Sequence, residues 1–462
     1  MAEREFDAIV VGAGPAGEVA AGRLAGQGLE VALVERELVG GECSYYACMP
    51  SKALLRPGEL LAEVRRQPGV REAVTGELDT TAVFARRDEV IHDLDDSPQL
   101  SWLEDRGIVL IRARGRLDGE RRVIADDDVL TARRAVVIAT GSSALVPPID
   151  GLREARPWTN RQATTAKYVP TRLVILGGGV VGVELAQAWS SLGSQVTLIE
   201  AADRLIAHEE PFAGEQVADA LYERGVDVQV DVKAIGVQAG DGEVEVELDR
   251  GGPVRGDELL VAIGRKPNTD ELGLETVGLE PGKSIPVDDA MRVLLPATGG
   301  PSDWLYAIGD VNGRVLLTHM GKYQARVATA VIAGKDMRAT ADGAISPRVI
   351  FTDPQVAAVG HTLASGREAG LNVRAIDVPT QANAGASFYG RTGSPGSVRL
   401  VIDDDRDVIA GATFTGFEVA DFLHAATIAV VGAVPLDRLA HAVPSFPTRS
   451  EAWLYLLEQL GY

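Results

Sequence analysis

Cys43 and Cys48 are the only cysteines in 462 residues, with four residues between them. That spacing allows a small local disulfide ring, provided the second cysteine opens a helix. The run Cys48–Leu55, CMPSKALL, predicts such a start. Pro50 suits a first helical turn, where its missing N–H costs nothing, and Ser51–Leu55 is compatible with helix. A cysteine at a helix N-terminus ionises more readily, because the helix dipole and the free N–H groups favour the thiolate. The competing reading is a pair of inert buried thiols, ordinary small hydrophobes. The Gly-Gly before the pair, the Pro-Ser-Lys after it and its place behind a nucleotide-binding pattern weigh against that. Two cysteines cannot form the disulfide framework of a secreted chain this long, so the expected chemistry is local.

The elements that must hold this pair are written twice. Phe6–Glu35 reads FDAIVVGAGPAGEVAAGRLAGQGLEVALVE, and Arg172–Glu200 reads RLVILGGGVVGVELAQAWSSLGSQVTLIE. Each opens with a continuous apolar strand, as expected of a parallel strand buried on both faces. A G-x-G-x-x-G turn follows, at Gly12, Gly14 and Gly17 and again at Gly177, Gly179 and Gly182. An amphipathic helical stretch then runs to Gly28 or Gly193, before a second strand closing on Glu35 or Glu200. Alone, a glycine turn can be mere packing. Here the strand, the helix and the acid about 20 residues on complete a dinucleotide fingerprint. The glycines admit a pyrophosphate to backbone N–H groups at a helix N-terminus, and the acid takes ribose hydroxyls. Two copies imply two adenine dinucleotides.

Further strands fit the plan: Ala135–Gly141, Glu258–Gly264, and Leu305–Asp310, which delivers an aspartate where ligands sit in parallel sheets. Beyond about residue 345 the pattern becomes α+β. It has strands at Val398–Asp403 and Val408–Phe414, helical stretches at Phe417–Val431 and Ser450–Leu460, and a proline-marked loop, His441–Thr448. The fold expected is α/β, with two Rossmann-like dinucleotide-binding domains and a C-terminal α+β domain.

Composition narrows the partners. With 66 acidic and 45 basic residues the net charge is −21, which repels nucleic acid and anionic lipid. No apolar run reaches the ~18 residues of a membrane span. The chain enters a strand at once, without a basic leader, so a soluble cytoplasmic protein is expected. No metal site is expected.

In combination, GAGPAG, GGECSYYACMPSK, ATG, GGGVVGVE, LYAIGD, VIFTDPQVAAVG and FPTRSEA resemble the class I pyridine nucleotide–disulfide oxidoreductases along essentially the whole chain. That family contains dihydrolipoamide dehydrogenase, glutathione reductase and mercuric reductase. The resemblance implies an FAD-binding domain (1–145 and 268–343), an NAD(P)-binding domain (146–267) and a dimerisation domain (344–462). FAD would lie on Gly12, Gly14, Pro15, Ala16 and Gly17, with Glu35 and Arg36 at the adenosine. Gly41, Glu42, Cys43, Cys48 and Lys52 would line its reactive end, with Ala139, Thr140, Gly141, Gly309, Asp310, Leu317 and Thr318 completing the pocket. NAD(P)H would occupy Gly177, Gly179, Val180, Val181, Gly182, Glu184, Glu200 and Gly264. Lys52 would pair with Glu184 beside the flavin. Cys48 would face the flavin, and Cys43 would exchange with substrate. A homodimer is implied, each C-terminal loop completing the neighbour's site. Glu200 favours NADH, since a carboxylate repels a 2′-phosphate; Arg204 nearby softens that preference.

Two departures bear on function. The family's His-Pro-Thr-x-x-Glu run is Phe446-Pro447-Thr448-Arg449-Ser450-Glu451 here, keeping the orienting carboxylate but not the base. Positioned acid–base catalysis contributes about 10²–10⁴ in rate. His441 is the nearest substitute in sequence. Between the cysteines stands Ser44-Tyr45-Tyr46-Ala47, whose tyrosines either shape the site and supply a proton or simply pack. The leading expectation is a dihydrolipoamide dehydrogenase-like enzyme acting on a small thiol or disulfide. The alternatives are a quinone or metal-ion flavin reductase, a C–S or C–C bond-cleaving relative of 2-ketopropyl coenzyme M oxidoreductase/carboxylase, and a non-enzymatic redox sensor.

Overall fold

A computed structural model describes residues 3–381, 383–389 and 396–462. They form two compact units: Met1–Pro50, Asp88–Leu145 and Arg265–Gly343 in the first, and Ser51–Arg87, Val146–Gly264 and Ala344–Tyr462 in the second.

The first unit is built on one sheet, in the order Arg292–Leu295, Gly300–Ala307, Asp128–Ile138, Glu3–Val11, Val31–Glu35, Val109–Arg112. All neighbours in that path run parallel except the outermost pair, Arg292–Leu295 with Gly300–Ala307. Val10 pairs with Leu33 on one side and Val137 on the other, so the central strand is buried on both faces. This explains its unbroken apolar run. Helices Pro15–Ala25 and Thr318–Ile332 pack against each other, closest where Gly321 meets Ala16.

The second unit repeats the core motif in a four-stranded parallel sheet, Asp227–Gln229, Gln195–Ile199, Arg172–Leu176, Glu258–Val261. Its C-terminal part is an antiparallel sheet ordered Arg348–Ile350, Gln355–Gly360, Val408–Gly416, Ser397–Asp403, Val373–Pro379. Helices Leu423–Val431 and Ala452–Gln459 bury their apolar residues against it. The helix expected from Phe417 starts later: Val419–Phe422 is a 3₁₀ turn, and α-helix begins at Leu423. The cause is Glu418, which sits in the left-handed region at φ 49° and cannot continue a right-handed helix backwards. Ser51–Arg87 packs with the second unit through Leu54, Leu55, Val83 and Phe84, which join Trp158 and Trp189 in its core. Arg87 is fully buried there and donates to the carbonyl oxygens of Thr164 and Ala166.

Buried carboxylates knit the second unit together. Asp353 accepts from both Arg66 and Arg224, Glu210 from Arg399 at 2.9 Å, and Glu209 from Arg348 at 2.6 Å. Removing one partner of a buried ionic group strands the others and costs several kcal/mol. The Arg66 and Arg224 side chains keep 21% and 22% of their surface, which softens the loss. Asp353→Ala is therefore expected to destabilise by about 3 kcal/mol, the low end of that range. A denaturant midpoint unchanged from wild type would show the triad to be dispensable.

Candidate active site

In the first unit Gly12 leaves its strand at φ 100°, and a Cβ there would stand 2.4 Å from the Ala139 carbonyl oxygen. A Cβ on Gly17 would lie 1.9 Å from the Gly12 oxygen, and one on Gly41 2.8 Å from Gly14 Cα. Nothing but glycine fits this close approach. Gly14 caps helix Pro15–Ala25 without a side-chain hydrogen bond, leaving first-turn N–H groups for an anion. Pro15 and Ala16 belong to that turn. Glu35 accepts from Ala13 N and Glu37 N, both at 2.7 Å, which fixes its carboxylate beside the glycine turn. Arg36 points outward and pairs with Glu37 at 3.6 Å.

The second unit reproduces this construction. Gly177 has φ 110°, and its Cβ would lie 2.5 Å from the Ala262 oxygen; Gly179 caps helix Val180–Ser191 without a side-chain bond. A Cβ on Gly182 would stand 1.8 Å from the Gly177 oxygen, and Val181 follows Val180 in the first turn. Glu200 accepts from Gly178 N at 2.5 Å and Ala202 N at 2.6 Å, the same two positions as in the first copy. Gly264 lies beyond the last strand at φ 152°. Arg204 donates to the Ala207 carbonyl at 2.8 Å, within its own loop. Both cradles, glycine-lined with uncapped helix starts, fit a dinucleotide's phosphates.

At the same carboxyl edge of the first unit's sheet, Asp310 accepts from Ser142 Oγ at 2.5 Å, and Arg265 donates to Ser142 Oγ at 2.7 Å and to its carbonyl at 2.6 Å. Arg265 also lies 3.7 Å from Asp310 and 3.9 Å from Glu42. Thr140 donates to the Asn268 carbonyl, and Asn268 returns a bond to the Thr140 carbonyl. Gly141 and Gly309 turn the chain beside these groups at φ 69° and 74°. Sequence reasoning missed Arg265 and Asn268. Their signal is the GRKPN run directly after the strand that closes the second cradle.

The cysteines lie in the first unit, one inside a short helix and one at the start of a longer one. Cys43 lies in the short helix Gly41–Tyr45, and Cys48 starts Cys48–Arg66, with Pro50 in its first turn. Both are half-buried thiols, not joined in a disulfide. Cys48 Sγ lies 3.3 Å from Thr318 Oγ1, and Thr318 follows Leu317, the cap of helix Thr318–Ile332. The Cys43 thiol is pushed strongly up, first by its hydrogen bond with Cys48, then by burial and by charge on Cys48. Thr318 and the Lys322 ammonium oppose that rise. Of the reduced pair, Cys43 is therefore held back from ionising. Tyr45 is fully buried, its hydroxyl lacks a partner, and it is pushed up to about 12 by burial and then by the charges of Asp96, Glu18 and Asp95.

In the second unit, Lys52 donates to Glu184 at 2.6 Å and lies 4.9 Å from the Phe351 ring centre, while Phe351 N–H donates to the other Glu184 oxygen at 2.9 Å. Glu184 is buried, so this pair is fixed. Glu451 is buried too and accepts from Gly385 N at 3.2 Å. Phe446 is 76% exposed, and His441 is exposed in the same loop.

Two nucleotide cradles and a paired thiol held at helix starts define a dinucleotide-dependent oxidoreductase working through a dithiol. The chain belongs to the pyridine nucleotide–disulphide oxidoreductase family, whose model matches residues 6–334, with the family's dimerisation domain matching 346–456. It is 32% identical to dihydrolipoyl dehydrogenase of Thermus scotoductus, over 99% of this chain and 98% of that one. It is also 30% identical to mercuric reductase of Lysinibacillus sphaericus, over 97% and 81%. Among solved structures, LpdA of Mycobacterium tuberculosis superposes with a TM-score of 0.85 at 25% identity, covering 100% of both chains. The flavoprotein disulfide reductase RclA of Escherichia coli shares the fold, with a TM-score of 0.84 at 24% identity over 98% and 99%. Enzymes of this family depend on FAD, with NAD(P) as the pyridine nucleotide. Among the described residues no helix is long and apolar enough to cross a membrane.

Glu18, in the first turn of helix Pro15–Ala25, is raised to about 7 by burial, against the pull of Lys322 and helped by the Glu35 charge. An acid whose folded pKa exceeds its unfolded value opposes folding once ionised. That penalty is absent below about 4.5 and complete above about 7. Glu18→Gln should accordingly raise the melting temperature at pH 8 and leave it nearly unchanged at pH 4.5. Equal shifts at the two pH values would refute the burial of a charge there.

Proposed function

We propose that this enzyme carries electron pairs from NADH to a small disulfide through Cys48 and Cys43, working as a homodimer. The observation that carries this reading is the cysteine pair itself, with Cys48 at a helix N-terminus against Thr318. FAD fits the first cradle and supplies, when bound, two-electron exchange between a pyridine nucleotide and a thiol pair. The chain's own part is to hold the phosphates on the Gly14 helix start, to fix Lys52 against Glu184, and to keep one proton on Cys43. Cys43 then exchanges with substrate through a mixed disulfide, its proton passing to the substrate thiolate that leaves.

NADH is favoured because Glu200 stands at the end of its strand while Arg204 is turned onto Ala207. A 2′-phosphate there would meet a carboxylate. The dimer is supported by the matched dimerisation domain and by exposed apolar side chains in the second unit, notably Val443 at 84% and Phe446 at 76%.

Anaerobic mixing with NADH should raise a long-wavelength thiolate-to-flavin absorbance that Cys43→Ser keeps and Cys48→Ser abolishes. Persistence of the band in Cys48→Ser would overturn the role of Cys48. kcat/KM should favour NADH over NADPH by about tenfold or more, roughly the cost of one like-charge contact, and Glu200→Ala should narrow that ratio.

A second reading is favoured by one pair of observations: Cys43 holds its proton tightly, and position 446 offers no base to take it. Electrons would then pass directly from the reduced cofactor to a quinone or metal ion. Undiminished quinone turnover in the Cys43→Ser/Cys48→Ser double variant would select this reading.

A further inference from the structure

In the second unit, the part of helix Cys48–Arg66 beyond Pro50 runs beside helix Val180–Ser191 in the same direction. Lys52 meets Glu184 at 2.6 Å, and further along a Cβ on Gly58 would stand 2.5 Å from Ser191 Oγ. Glu184 and Gln187 are three residues apart on the second helix and therefore share a face. Both are buried. A strap, residues 351–353, joins strands Arg348–Ile350 and Gln355–Gly360 and lies on that face. Phe351 N–H donates to one Glu184 oxygen at 2.9 Å, and Asp353 N–H donates to the Gln187 side-chain oxygen at 2.7 Å. Thr352 between them is buried, its hydroxyl turned onto the Pro354 carbonyl at 2.7 Å.

Phe351 touches both members of the ion pair. Its amide takes the Glu184 oxygen that Lys52 does not use, which sets the plane of the carboxylate. Its ring lies 4.9 Å from the Lys52 ammonium, within reach of a cation–π contact. The place of Phe351 depends in turn on Asp353, two residues on. Arg66 and Arg224 grip the Asp353 carboxylate, but that grip acts across rotatable side-chain bonds and leaves the peptide group free to turn. Gln187 holds the peptide N–H itself.

We propose that Gln187 is a positioning residue for the reaction: by holding the Asp353 amide it keeps Phe351 in place, and through Phe351 it fixes the Lys52–Glu184 pair. Lys52 keeps 36% of its side-chain surface, so burial alone does not immobilise it. Gln187 touches no reacting atom. The inference rests on the reading above, in which this pair stands beside the flavin.

The test uses the FAD-loaded enzyme. Competitive labelling with acetic anhydride, followed by peptide mass spectrometry, gives the reactivity of Lys52 relative to the exposed Lys283, and it needs no electron transfer. Glu184→Gln, which removes the pairing charge, sets the full size of the change. Gln187→Met keeps the volume but has no acceptor oxygen, and it should raise the ratio about fivefold, the scale of one net hydrogen bond. Anaerobic flavin reduction by NADH should slow about tenfold, as expected of a displaced group, with the half-saturating NADH concentration unchanged. Gln187→Glu keeps the acceptor and should restore both. Should Gln187→Met not fold, Gln187→Asn, which draws the oxygen back by one methylene, is read on the same ratio. A wild-type ratio in either folded variant overturns this inference and leaves the disulfide reductase reading standing. Flavin reduction at the wild-type rate in both Glu184→Gln and Gln187→Met, with the ratio raised, puts the pair outside the reaction and overturns the reading beneath it.

Discussion

The half-buried thiols of Cys43 and Cys48 lie close enough that charge on Cys48 pushes the Cys43 thiol up, and the rest of the site depends on that coupling. Burial alone would raise both thiols. The Thr318 hydroxyl and the Lys322 charge oppose the rise on Cys43, and the helix start at Cys48 favours a thiolate there. A dithiol in that condition is a reductant with one sulfur ready and one restrained. Substrate chemistry then depends on how the restraint on Cys43 is lifted.

The nucleotide cradles work by the same logic of a field prepared in advance. In each, a glycine at positive φ brings strand end and helix start close together, and no side chain caps the helix. The terminal acid spends its two oxygens on the same two backbone amides in both copies: Ala13 and Glu37 in one, Gly178 and Ala202 in the other. The acid therefore braces the turn as well as facing a ribose. This explains why the two halves share a shape although few of their other side chains match.

What the sequence makes legible here is local. The glycine turns, the strand-ending acids, the helix opened by Cys48 and the two C-terminal strands Ser397–Asp403 and Val408–Gly416 follow from spacing, period and backbone preference within about 30 residues. The pairing of Lys52 with Glu184 came through family resemblance, because 132 positions separate them. Hidden from both were groups whose meaning lies in distant partners: Arg265 on Ser142, Asn268 on Thr140, and Asp353 between Arg66 and Arg224. Nothing in a one-dimensional pattern marks an arginine as buried. The late start of the 423–431 helix was hidden too, since Glu418 is an ordinary helix former that tertiary structure holds at positive φ.

Because Gly385 donates its amide hydrogen to Glu451, this carboxylate has an occupation independent of any base at position 446. Its retention beside a phenylalanine is then no relic: the turn containing Gly385 is so close to Thr448 that the acid helps hold the chain together there. The side chain at 446 takes no part in that anchor, so exchanging it leaves the Gly385–Glu451 bond in place. Reactivity at this spot is thus interchangeable while its scaffolding stays put.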